Sequence, residues 1–346
     1  MSVTRQCIWI GVLAGAGAFG AGCGSDQGPP EEQAKSSVKS QITEELDHLV
    51  AASVALRAAA PAPDADGWNG TADAAAVASM KAEWKKARVS YERIEGAIAV
   101  LFSGLDVSTD ERYDGFIAEA PDTNLFDGEG VTGVHAIERI LWTGSHPPQV
   151  VAFESALPGY QAARFPTTEA EARDFKDGLC KRLVDDTTAM RTMFTPLALD
   201  TLAAFRGVIG SLGEQIEKVM LAATGEDESR YAQNTLADMR ANLEGGERTY
   251  AAFKAWVKSR PDGAALDVDV DAGFGRVRAL YAAHSGDALP AVPAGFNPTA
   301  PAAADLTTPY GMIFSGLSAE TDAAAPMSLV SKMTDAADLI GIPPLE

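Results

Sequence analysis

Cysteine is scarce in this chain, and its placement removes more chemistry than its number does. There are three in 346 residues. Cys7 opens an apolar, Gly/Ala-rich run, residues 7–21, that follows Arg5 and reads as an export signal. That run falls short of the about 20 apolar residues a bilayer span needs. It ends in Phe19-Gly20-Ala21-Gly22-Cys23, with the small residues of a bacterial lipobox and Gly20 where leucine is usual. Cleavage after residue 22 and lipidation of Cys23 are expected; an ordinary signal peptide cut near the same point is the alternative. Residues 23–37, polar and containing Pro29-Pro30, then read as a flexible tether for a membrane-anchored domain. Cys180 is left alone. A single thiol makes neither an internal disulfide nor a thiolate cluster, so a metal site here has to use oxygen and nitrogen. That favours iron, manganese or zinc and disfavours copper(I).

Basic residues are also in short supply. Lys and Arg number 28 against 48 Asp and Glu, a formal net charge of −20. This balance argues against nucleic acid as a partner, because phosphate binding needs basic patches. It suits solubility and the attraction of cations. About 310 residues remain after processing, enough for one large or two smaller domains.

Strand signals are few, and what is present is helical. Ala, Leu, Glu, Lys and Arg with i, i+3, i+4 apolar spacing predict helices over residues 37–59, 73–102, 167–193, 199–223, 229–258, 268–284 and 319–339. Residues 103–129, acidic and rich in Asp and Gly, read as irregular, as does the Pro/Ala-rich stretch 288–309. Between them Gly133-Val134-His135-Ala136-Ile137-Glu138-Arg139-Ile140-Leu141-Trp142 forms an amphipathic helix, closed by Gly144 and Pro147-Pro148.

That short helix carries the most informative pair. His135 and Glu138 stand three apart, which on a helix puts their Cβ atoms roughly 5–6 Å apart on one face. An imidazole and a carboxylate so placed can share a metal ion. Three acidic clusters are candidates to converge on them. Tyr91-Glu92-Arg93-Ile94-Glu95 offers Glu92 and Glu95; Asp106, Asp110 and Asp114 follow in the irregular stretch; Gly225-Glu226-Asp227-Glu228-Ser229-Arg230-Tyr231 lies downstream, before Asp238. A hard or borderline cation wants several carboxylate oxygens and accepts an imidazole beside them. Each element also has a structural alternative. Glu92 and Glu95 can pair with Arg93, Arg88 or Lys86 on a wet surface, and His135 sits beside Val134, Ile137 and Ile140 as a core histidine would.

In this order the clusters resemble the imelysin-like family, and within it the EfeO/EfeM type of periplasmic iron-uptake protein. The likeness rests on Tyr91 to Glu95, Leu105-Asp106, Asp110, Arg112-Tyr113-Asp114 and Gly133-x-His135-x-Ile137-Glu138-x-x-Leu141-Trp142. Gly225-Glu226-Asp227-x-x-Arg230-Tyr231 and Asp238-x-x-Ala241-Asn242-x-x-Gly245 resemble its second signature block, so nearly all of residues 38–342 is covered. The resemblance implies an all-α fold of two four-helix-bundle-like halves, roughly 38–160 and 161–342, forming one elongated domain. It implies a metal-facing set of His135, Glu138, Glu92, Glu95 and Asp110, with Asp106, Asp114, Glu226 and Glu228 as possible additions. Three departures stand out. Gly96 replaces a frequent proline, the Glu92-to-Asp110 spacing is one residue longer, and Asp227 replaces glutamate. The absence of a cupredoxin domain is expected to place the chain with shorter, EfeM-like members.

The implied role is a lipid-anchored protein on the periplasmic side of a bacterial membrane. It would bind iron, or zinc or manganese, for an iron permease and peroxidase of one uptake system. Imelysin-like proteins have also been classed as zinc metallopeptidases. The physical case for catalysis is thin, since no H-E-x-x-H is present; the one nearby histidine, His146, sits past Gly144 beside two prolines, and His48 and His284 are far away in sequence. Metal-bridged binding of an acidic polysaccharide is a third reading.

Overall fold

The first helix shows how sequence pattern becomes architecture here. α1 (Pro30–Ala59) starts on a proline, which has no amide to waste at a helix N-terminus, and carries Glu31 and Glu32 in its first turn. Ala34, Val38, Ile42, Leu46, Leu49, Ala52 and Leu56 recur at helical spacing and are all buried. The stripe packs against α2 (Ala74–Glu92), α9 (Cys180–Phe194) and α11 (Thr235–Lys258). The computed structural model describes residues 29–198 and 201–344, with backbone alone for Thr201 and Leu202. The export signal and Cys23 lie outside the described residues.

Among the described residues the fold is all-α, with no strand. The remaining helices are α3 (Glu95–Leu101), α4 (Ser103–Asp110), α5 (Tyr113–Glu119), α6 (Gly133–Leu141), α7 (Pro148–Glu154), α8 (Glu169–Asp174), α10 (Thr201–Ala222), α12 (Gly263–Ala282), α13 (Pro309–Thr321) and α14 (Leu329–Leu339). A π-helical turn, Phe175–Leu179, joins α8 to α9. No helix among the described residues is long and apolar enough to cross a membrane.

Several expected boundaries are corrected. The helix expected over 73–102 breaks at Arg93-Ile94. There α11 approaches so closely that a Cβ on Gly245 would overlap the Arg93 carbonyl, and α3 turns away to lie on α10. Gly96 and Gly207 meet at that crossing, where a Cβ on Gly207 would overlap the Gly96 carbonyl oxygen. The stretch 103–129 is not wholly irregular, because α4 and α5 form in it, anchored by buried Thr109, Tyr113 and Ile117. Residues 229–233 are turns, not the start of α11, and Gln233 takes a left-handed φ of 54°. α12 starts at Gly263, earlier than the expected 268, after Asp262 at φ 63°. The helix expected over 319–339 is two: a turn containing Pro326 separates α13 from α14, and Ser328 caps α14 by accepting the Ser331 amide at 3.1 Å.

Two hydrophobic cores result. The larger gathers α3, α10, α11, α12, α13 and α14; the smaller gathers α5 and α6 with Phe175 and Leu179. They do not part at residue 160, because α1, α2 and α9 feed both. In α2, Met80 and Trp84 belong to the smaller core, and Ala87 and Tyr91 to the larger. Arg88 and Glu92 sit at that junction, fully buried.

Candidate metal centre

α6 begins on Gly133 at φ +84°, a left-handed conformation that side chains resist. A Cβ there would also overlap the Thr109 carbonyl oxygen. The glycine therefore seats the start of α6 directly on the last turn of α4, which puts His135 beside Asp110. Replacing Gly133 with alanine should cost about 1–3 kcal/mol through backbone strain alone. Chemical denaturation measures it, and an unchanged midpoint would contradict this account of the junction.

His135 is fully buried and held from behind. Its Nδ1 lies 2.7 Å from Glu138 Oε2, while Glu138 Oε1 accepts the amides of Tyr231 (3.0 Å) and Ala232 (2.7 Å). In the neutral ring, an Nδ1–H donated to Glu138 leaves the Nε2 lone pair free. Nε2 points at Asp110 Oδ1 and Glu228 Oε1, each 3.5 Å away, and makes no hydrogen bond. Three donors of the kind a borderline cation prefers thus face one another, with their ligand atoms within 4.8 Å. Glu92, Glu95 and Glu228 form a second such group, so Glu228 belongs to both.

Two buried cations stand among these carboxylates. The Arg88 guanidinium pairs with Asp110 and Glu92 and reaches Glu228 at 3.4 Å and Asp238 at 3.6 Å. Lys218 of α10 lies against Glu92, Glu95 and Glu228. Asn242 holds Glu95 Oε2 at 2.6 Å, and the Ser229 hydroxyl donates to Asp238.

Charge is distributed unevenly over the cluster. Burial pushes the Asp110 carboxyl up to about 7 against the pull of Arg88 and His135. Burial likewise raises Asp238 to about 6, although Arg88 opposes it. Burial also raises Glu95 well above the usual carboxylate range, helped by Glu92 and opposed by Lys218. Glu228 goes the other way, because Lys218, His135 and Arg88 together outweigh its burial. His135 is raised to about 9: burial and Arg88 lower it, but Glu138, Glu228 and Asp110 prevail. Without an added cation, the cluster takes protons in its place.

The centre opens to solvent through a cleft of about 300 Å³ whose walls include Glu95, Asp106, Asp110, Glu111, Glu214 and Glu217. An acidic funnel of this kind concentrates cations at its base.

The family model for imelysin matches residues 33–309. The chain belongs to the imelysin family. It is 27% identical over 207 residues to "Iron uptake system component EfeO" of Escherichia coli, covering 60% of this chain. The protein of the same name from Shigella flexneri gives the same figures. The match spans 44% of the length of those relatives. A crystal structure of an imelysin-like protein from Psychrobacter arcticum superposes with a TM-score of 0.61 at 10% identity, over 92% of this chain and 98% of that one. That likeness shows a shared fold.

In this imelysin the residues singled out from sequence divide into two groups. His135, Asp110, Glu92, Glu95 and Glu228 come together, and of these Asp110, Glu95 and Glu228 reach the cleft wall. Glu138 does not face it, since both its oxygens are engaged behind the imidazole. Asp106 lines the cleft and accepts the Tyr91 hydroxyl. Asp114 is turned to Arg230, 2.9 Å away, and Glu226 presents its carbonyl to Arg112 (3.1 Å) and Arg230 (3.3 Å). Sequence reasoning missed Lys218 altogether and knew Arg88 only as a surface partner for Glu92. A signal for Lys218 was present: Ser211, Gln215 and Lys218, spaced four and three, form one buried polar face of α10.

Proposed function

We propose that this imelysin binds a divalent first-row metal as cargo, iron before zinc or manganese, and hands it on within an iron-uptake system. The observation that carries the reading is His135 Nε2: buried, without a hydrogen-bond partner, and aimed at two carboxylates. A buried polar atom left unpaired is costly, and a metal ion would satisfy it. The oxygen-rich donor set with one imidazole fits ferrous iron, manganese or zinc. The printed name of the EfeO relatives supports iron as the cargo. Export, lipidation at Cys23 and delivery to an iron permease and peroxidase complete the proposal, on the strength of the leader sequence and the likeness to EfeO.

A peptidase reading comes from the family model's name, which also calls imelysin a peptidase. It needs a carboxylate free to activate a metal-bound water, and Glu138, the carboxylate nearest His135 in sequence, is occupied by three N–H groups.

Calorimetric titration of the soluble domain with ferrous iron under anaerobic conditions, and with zinc, tests the cargo reading. The pH dependence has a definite sign. Metal needs neutral His135 and ionised Asp110, which hold protons up to about pH 9 and about pH 7 respectively. Binding should therefore release protons and tighten as pH rises from 6 to 9, by about ten-fold per pH unit for each proton displaced. An affinity flat across that range would contradict the assignment.

A further inference from the structure

One side chain is out of keeping with an open metal site. The Lys218 ammonium, buried in α10, lies 3.3 Å from Glu92 Oε2, 3.1 Å from Glu95 Oε2 and 3.4 Å from Glu228 Oε2. These are the three carboxylates whose oxygens form the second candidate ligand group. An ammonium has three N–H donors, and here three carboxylates surround it. The cage is built independently of the lysine. Asn242 fixes Glu95 at 2.6 Å, and Asn242 Oδ1 in turn accepts from Ser211 (2.8 Å) and Gln215 (3.1 Å). Arg88 grips Glu92 as well. Glu228 joins the two groups, with Oε1 toward His135 Nε2 and Oε2 toward Lys218.

We propose that Lys218 is a tethered cation standing in the second of two adjoining metal positions, so that the protein loads one ion at a time. The ion goes to Asp110, His135 and Glu228, and Lys218 competes with it for Glu228. This inference rests on the reading of the cleft as a metal site. Its consequence is functional: the built-in charge lowers affinity for the cargo and keeps loading reversible, which a protein that passes metal onward requires. A unit charge a few ångströms from a bound ion repels it by several times thermal energy even at the effective dielectric of partly buried sites.

The test is metal stoichiometry. Wild type, Lys218→Met and Lys218→Gln are stripped with chelator, titrated with zinc by calorimetry, and assayed for bound metal after gel filtration. The wild type should bind one ion per chain. Both variants should bind two, with the first about ten-fold or more tighter than in wild type. Lys218→Arg, which keeps the charge, should stay at one, and adding Glu95→Gln to Lys218→Met should return the count to one. Where a stripped variant does not stay folded, refolding in zinc and the zinc-induced rise in melting temperature give the same comparison, with a larger rise than in wild type expected. Variants that bind one ion at wild-type affinity, or a wild type that already binds two, overturn the role of Lys218. A wild type that binds none overturns the metal reading beneath it.

Discussion

Replacing His135 with alanine should weaken ferrous iron and zinc binding by about 100-fold or more. The imidazole is the sole nitrogen donor in the cluster, and its Nε2 is already desolvated and aimed, so little ordering cost remains when a metal arrives. Groups that merely orient a ligand cost 10–100-fold when mutated, and loss of the ligand itself should reach or exceed the upper end of that range. Glu138→Gln makes the contrast. Glutamine can still accept the Tyr231 and Ala232 amides through its oxygen, but its NH2 cannot accept the His135 Nδ1 proton. That variant should fall within about 10–100-fold and leave stoichiometry unchanged. Equal, complete losses for both substitutions would mean that Glu138 is a ligand after all. No loss for His135→Ala would remove the centre from this cleft.

Replacing Arg88 with methionine should destabilise the metal-free protein by about 3–5 kcal/mol, the usual cost of leaving buried charge without its partner. The side chain is fully buried and faces Glu92, Asp110, Glu228 and Asp238. The loss should depend on pH. Asp110 and Asp238 already hold protons up to about 7 and about 6, and removing the guanidinium raises both further. A carboxyl raised in the folded state costs no stability while both states are protonated, and costs more as pH climbs through its folded value. Urea unfolding with chelator present should therefore show a larger deficit at pH 8 than at pH 5. Saturating zinc should recover part of it, because a ligand bound only by the folded state stabilises that state. A variant unfolding at the wild-type urea concentration at pH 8 would show that the carboxylates do not depend on Arg88.

How much of this was legible beforehand differs residue by residue. The helix around His135 was plain because Val134, Ile137, Ile140 and Leu141 fall on one face, and α6 runs Gly133–Leu141. Helical spacing also brought His135 and Glu138 together, but it says nothing about which ring nitrogen faces which partner. That is settled by the turn at 229–233, whose amides claim Glu138 from outside the helix. The break after Glu92 was hidden for a similar reason. Local propensity across most of 73–102 is helical, and the bend comes from Gly245 and Gly207, distant in sequence, letting their backbones meet Arg93 and Gly96. Pro326 could have been read as a divider between α13 and α14. Lys218 was obscured by its neighbours Glu214 and Glu217, which line the cleft and give that part of α10 the look of an ordinary wet surface.

One metal ion is expected between His135 Nε2, Asp110 and Glu228, with Glu138 behind the imidazole and not on the metal. Anomalous diffraction at the zinc edge, from crystals of the wild-type protein grown with one equivalent of zinc, tests it most directly. The expected result is a single strong peak about 2.0–2.2 Å from His135 Nε2 and from oxygens of Asp110 and Glu228. A peak bonded to Glu138, or one elsewhere with His135 Nε2 left unliganded, would contradict it.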